Sequence, residues 1–234
     1  VGGSELHTDT AGTDFSDWLL AQRNIIVRNA TIEWRDEKRQ APPLLLQQLD
    51  FHLENRGARH RFGLTAEPPP QLSSRLDVRG DLRGKSMDRL ADWQGEAYAA
   101  LEYADLSVWR TWVDYPIDLP QGAGGMRLWL GVDSGRLASI NADVALRSVR
   151  LRMGKELPML DLVSLQGRLM LQLPETGFEA GFETGGKGLM LETLDGIHIA
   201  PTDFKVRRTT AQEGKPEQGE VSADKVDLQA LARL

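Results

Sequence analysis

The four histidines, His7, His52, His60 and His198, are the first residues to test for chemistry. His52 and His60 fall on what read as facing strands, beside Asp50 and Glu54. A metal site needs ligands that converge from one side, and the sequence here offers neither HExxH nor a paired-histidine spacing. Solvated histidines on an outer strand face fit better. Gly181 to Lys187 (GFETGGK) follows the phosphate-loop pattern as far as its lysine. Gly188 then stands where magnesium coordination needs Ser or Thr, and the setting reads as a hairpin turn rather than a strand-to-helix turn. Gly122 to Gly125 (GAGG) has no following helix to offer its N-terminus to a phosphate.

Glu33, Arg35, Asp36, Glu37, Lys38 and Arg39 crowd between a strand and Pro42-Pro43. Paired carboxylates do acid–base work where a pocket separates their pKa values. Amid neutralising bases these read as a solvated hairpin tip. No Ser/His/Asp set announces itself, and the absence of cysteine excludes disulfides, thiolate metal sites and cysteine nucleophiles. The expectation is a protein that is not an enzyme and needs no cofactor.

The elements that must position anything else are strands. Across 234 residues, 41% hydrophobic and 26% charged residues describe a chain that can bury a core. A net charge of −6 argues against nucleic acid as a partner. No apolar run is long enough to span a bilayer, and the opening residues are not expected to act as a signal peptide. The polar lead over residues 1–13 reads as a linker, and the whole as a piece of something longer.

Period-two alternation dominates the rest. Leu45, Gln47, Leu49, Phe51 and Leu53 share one strand face, and Phe62, Leu64 and Ala66 one face of the next. Leu72, Leu76, Val78 and Leu82 follow. Met126, Leu128, Leu130 and Val132 alternate up to Asp133-Ser134-Gly135, a hairpin turn, and Ile140, Ala142, Val144 and Leu146 return. Val149, Leu151 and Met153 read as a further strand. Leu165 to Leu173, Phe178 to Phe182, Ile197 to Val206 and Val221 to Val226 extend the pattern to roughly a dozen strands. Short helices are expected after Asp14, Asp105 and Asp227, each aspartate capping the first turn. Trp18, Trp109 and Trp112 would plug the ends of an apolar sheet from these helices, while Trp34, Trp93 and Trp129 lie on strands. Stacking on sugars would require exposure, and core packing is the simpler expectation for all six.

Three long phrases carry a resemblance: Trp18 to Leu72, Trp93 to Leu130 (WQGEAYAALEYADLSVWRTWVDYPIDLPQGAGGMRLWL) and Leu157 to Leu173 (LPMLDLVSLQGRLMLQL). They resemble the YhdP family of Gram-negative envelope proteins, relatives of AsmA and TamB, over about Asp14 to Leu234. The closing G-E-x-x-A…V-D-L-x-x-L resembles the phrase with which AsmA-like proteins end a unit. The resemblance implies a periplasmic bridge, tethered to the inner membrane by an N-terminal helix that this sequence lacks. It implies a long antiparallel sheet curled into an open groove or half-barrel that conducts phospholipids toward the outer membrane. No catalytic residues come with it.

The expected organisation is a single AsmA-like β-rich segment over 14–234, divisible into 14–116 and 117–234. The expected partners are phospholipid acyl chains and neighbouring segments of the same longer chain. On this reading the groove face comprises Phe51, Leu53, Phe62, Leu64, Leu101, Met126, Leu128, Leu130, Val132, Ile140, Val144, Leu169, Leu171, Phe178 and Phe182. Alternation alone leaves these residues two roles, lipid contact or ordinary core. A closed β scaffold engaging an envelope protein or glycan is the alternative architecture.

Overall fold

The computed structural model describes residues 17–36, 39–115, 117–152, 158–174, 181–209 and 218–225. The linker expected over 1–13 and the helix expected after Asp227 lie outside them. The described residues form eleven strands in one antiparallel sheet, each strand beside its sequence neighbours. They are β1 (Asn24–Trp34), β2 (Leu44–Arg56), β3 (Arg59–Glu67), β4 (Leu76–Arg83), β5 (Gln94–Asp105) and β6 (Asp118–Asp133). β7 (Arg136–Arg152), β8 (Leu160–Gln172), β9 (Gly181–Thr193), β10 (His198–Thr209) and β11 (Gln218–Ala223) follow. The sheet does not close: among the described residues β1 pairs only with β2, and β11 only with β10.

Helix is sparse: residues 17–21 (α1), a 3₁₀ segment Met87–Asp92, and α2 (Leu106–Trp109). Asp105 caps α2 as expected, its carboxylate accepting from the Ser107 and Val108 amides at 3.0 and 3.3 Å. Asp133-Ser134-Gly135 turns as expected, with Ser134 and Gly135 at φ 52° and 68°, the left-handed pair a tight hairpin requires.

Several expectations shift by one residue, and bulges are the cause. Gln48 sits at φ 47° where the β2–β3 register slips between Gln47 and Asp50. The extra residue reverses which face its neighbours meet. Leu44 is therefore buried and Leu45 points outward, although Leu49 and Leu53 are buried as the alternation requires. Ser148, at φ 49°, does the same in β7. The inward series passes from Leu146 to Val149, so two expected strands are one strand of seventeen residues. The phosphate-loop look-alike is not a turn: Gly181 to Gly188 lies within β9. The GAGG segment is likewise within β6.

Candidate functional site: an apolar face crossing the sheet

Residues paired directly across an antiparallel ladder point to the same face. Following the pairing from β1 to β11 gives one row of side chains: Val27, Phe51, Leu64, Val78, Ala99, Leu128, Ala142, Leu169, Gly186, Phe204 and Ala223. Every member is nonpolar. Beside it runs a second row: Ile25, Leu53, Phe62, Gly80, Ala97, Leu130, Ile140, Leu171, Thr184, Val206 and Val221. Only Thr184 is polar, and its hydroxyl donates to the Met170 carbonyl at 2.9 Å. A third, shorter row of Leu101, Met126, Val144 and Gly167 flanks the first.

Nine of the expected groove residues fall in the two long rows, and Leu101, Met126 and Val144 in the third. Val132 and Phe182 share the same face, two residues beyond Leu130 and before Thr184 respectively. Phe178 lies outside the described residues. The expectation missed Ile25, Val27, Val78, Phe204 and Val206, which alternate just as clearly, and the small members Gly80, Ala97, Ala99 and Gly186. Small residues carry little apolar signal of their own. Gly80 and Gly186 matter because aromatic rings cover them: a Cβ on either would lie 2.2 Å from the Phe62 ring or 2.4 Å from the Phe204 ring.

Among the described residues no second layer covers these rows. Each strand packs broadly against its sequence neighbours alone, and α2 against β5 and β6. Yet Leu101, Ala142 and Val144 are buried, and most other row members are half-buried. A single layer shelters its side chains in this way when the face is concave, and bulges bend strands toward such curvature. Gly95, Gly124 and Gly167 adopt a backbone conformation that favours glycine: all have φ between 132° and 151°, and a Cβ on Gly124 would strike the Ala145 carbonyl at 2.1 Å.

Aromatic plugs stand at the two rims, where the strands turn. At one, Trp93 stacks on His60 with centroids 5.2 Å apart, and its indole donates to the Ser86 carbonyl at 2.8 Å. The structure corrects the expectation of a solvated His60: it is buried, with Nδ1 2.7 Å from Asn55 Oδ1 and Nε2 3.0 Å from the Gly84 carbonyl. Asn55 in turn donates to the Leu19 and Gln22 carbonyls, tying α1 to the rim. His52 faces the other way and is exposed, 2.6 Å from Asn24 Oδ1. Trp93 precedes β5 rather than lying in it. At the opposite rim Trp112 packs with Leu44 and Leu72 and donates to the Pro42 carbonyl at 3.0 Å. Arg39 fastens the β1–β2 loop there, donating to the Trp112 carbonyl at 3.2 Å and pairing with Asp114. Trp18, by contrast, is exposed.

The opposite face of the sheet holds the charges, and they pair across strands. Arg59 grips Asp81 through two hydrogen bonds of 2.8 and 2.5 Å, with Arg61 adding a third at 3.2 Å. These guanidinium contacts hold the Asp81 carboxyl down to about 2. Arg168 grips Asp143 in the same two-pronged way, and Lys205 and Arg207 share Glu183. Both carboxylates are held below their ordinary range by these partners.

An open, single-layered antiparallel sheet with one apolar concave face and one ion-paired outer face defines a β-groove protein. Among the described residues no group of acidic or histidine side chains is placed to hold a metal, and no helix is long and apolar enough to cross a membrane. The chain belongs to the YhdP family: the family model described as YhdP protein matches residues 4–234. Membership points to a cell-envelope protein connected with lipid transport. No curated protein and no solved structure matches the chain.

Proposed function

We propose that the apolar face conducts phospholipid acyl chains, as a non-catalytic segment of a periplasmic bridge tethered to the inner membrane and reaching toward the outer one. The observation that carries this reading is the continuity of the two long rows across all eleven strands. At a strand spacing of about 4.8 Å the rows extend about 48 Å. A bilayer core of about 30 Å holds two leaflets, so one acyl chain reaches about 15 Å. The stripe is therefore some three chain lengths long, which suits a track rather than a fitted pocket.

The energetics favour the same use. Burial contributes roughly 0.8 kcal/mol per CH₂, so complete enclosure of about sixteen carbons would stabilise a chain by up to ~12 kcal/mol. A conduit must release what it holds. A face open on one side encloses part of each chain, and similar aliphatic neighbours at every step leave no single deep minimum. Headgroups would remain in water, since the rows offer them no charge. Among the described residues β1 and β11 each have one unpaired edge, onto which neighbouring segments of a longer chain would add further rungs.

The test is photocrosslinking from Leu128 or Leu169 in cells, with mass spectrometry of the adducts. Phospholipid adducts are expected from both positions and none from outward-facing Arg127. Adducts with protein alone would refute lipid conduction along this face.

A further inference from the structure

The outer face carries a depression that the lipid reading does not use. It measures about 420 Å³ and is lined by Glu96, Trp129, Gly131, Ser139, Asn141 and Arg168. Two adjacent outward rows build it: Glu96, Gly131 and Ser139 in one, and Tyr98, Trp129 and Asn141 in the other. Gly131 makes the hollow, because a Cβ there would come within 2.3 Å of the Ser139 hydroxyl oxygen. Trp129 forms the wall. Tyr98 leans on it at 5.4 Å between centroids and 53° between planes, and the Arg168 guanidinium sits 5.3 Å from its centroid. Held by Tyr98 and Arg168, the half-buried indole is a preorganised apolar surface, whose ordering cost is already met before any ligand arrives.

The polar lining selects the ligand. Among the described residues Glu96, Ser139 and Asn141 have no side-chain hydrogen bond or ion pair, which leaves their donors and acceptors to a ligand beside the indole. Arg168 is spoken for: Asp143 takes its Nε and Nη2 at 2.5 and 2.7 Å. With that charge neutralised and the Glu96 carboxylate on the rim, an anion finds no attraction. A cation beside the indole would meet the like charge of the Arg168 guanidinium, 5.3 Å from the ring centroid. A neutral ligand that presents C–H groups to an aromatic wall and hydroxyls to Asn, Ser and Glu meets every feature. We propose that this depression is a binding site for neutral glycan, on the face opposite the apolar rows and independent of them. Its volume falls within the range of small-ligand sites.

Saturation-transfer NMR with chitotetraose and maltotetraose as probes tests this on the intact chain. Contact to at least one probe is expected, and Trp129→Ala and Asn141→Leu are each expected to weaken it by at least about tenfold. Leu169→Asp, on the opposite face, should leave it unchanged, and circular dichroism checks that each variant is folded. Because Asn141→Leu changes a half-exposed outward side chain, it keeps the test decisive if Trp129→Ala unfolds. No transfer to either probe overturns the proposal, as does a signal that survives Asn141→Leu undiminished.

Discussion

The ring of Phe204 lies across Gly186 on the neighbouring strand, so close that a Cβ on the glycine would stand 2.4 Å from Phe204 Cε1. The glycine is no flaw in the apolar row, because its partner's ring fills the place its side chain leaves. Gly186→Ala should therefore destabilise the chain by about 1–3 kcal/mol, the usual cost of overpacking. The same substitution made together with Phe204→Ala should cost less, since the clashing ring is gone. Urea unfolding of the four members of that cycle measures the coupling. Equal costs in both backgrounds would mean that the ring does not lie over the glycine.

How much of this was legible in the sequence follows from what alternation can encode. Rows built from Leu, Ile, Val and Phe announce themselves, and the two-residue period leads directly to a strand-rich sheet. The bulges at Gln48 and Ser148 do not: each is a polar residue at positive φ that looks like any outward position. Gln48 turned Leu45 outward, and Ser148 let two expected strands run on as the single strand β7. His60 was misplaced for a related reason. It occupies an inward position of β3, but a histidine in a polar stretch beside a turn carries no sign that Trp93 will stack on it. The outer-face depression was hidden further, since Glu96, Trp129, Gly131, Ser139 and Asn141 converge only once three strands are in register.

Asp81 should titrate far below an ordinary aspartate. Its two arginine partners favour the charged form, lowering the folded-state pKa to about 2 from an unfolded value near 3.9. A depressed carboxylate contributes stability that is fully present above the unfolded pKa and is lost as pH falls through the folded one. The window is thus roughly pH 4 to 2. Because both partners are well exposed, the contribution is small at physiological salt. Carboxyl-carbon NMR should give an Asp81 midpoint near 2, and Arg59→Leu should move it up toward the ordinary range. A wild-type midpoint near 3.9 would show that the pairing does not persist in solution.

Asp105 should govern whether α2 stays folded against the sheet. A helix of four residues cannot sustain itself, so its first turn depends on the carboxylate that satisfies two amides. Asp105→Ala should cost about 1 kcal/mol, while Asp105→Asn keeps most of the cap. Hydrogen exchange at the Ser107 and Val108 amides would accelerate in the alanine variant and stay slow in the asparagine one. Because Leu106 joins the buried cluster of the apolar face, loosening of α2 should also raise exchange at the facing end of β6.

A single charge in the row should stop the track where stability barely notices it. Leu169 pairs with Ala142 on one side and Gly186 on the other, inside the longest uninterrupted apolar row. It is half-buried on an open face, so an aspartate there can keep its carboxylate hydrated when the face is empty. With an acyl chain alongside, that carboxylate would have to lose water with no partner to replace it, which is costly. Leu169→Asp is therefore expected to fold, by circular dichroism, yet to carry much less phospholipid when the protein is purified and its bound lipid quantified by mass spectrometry. Gln166→Asp, exposed and outward on the same strand, adds the same charge off the row and should leave bound lipid unchanged. Equal lipid in the two variants would mean that the charge, and with it the row, plays no part in holding acyl chains.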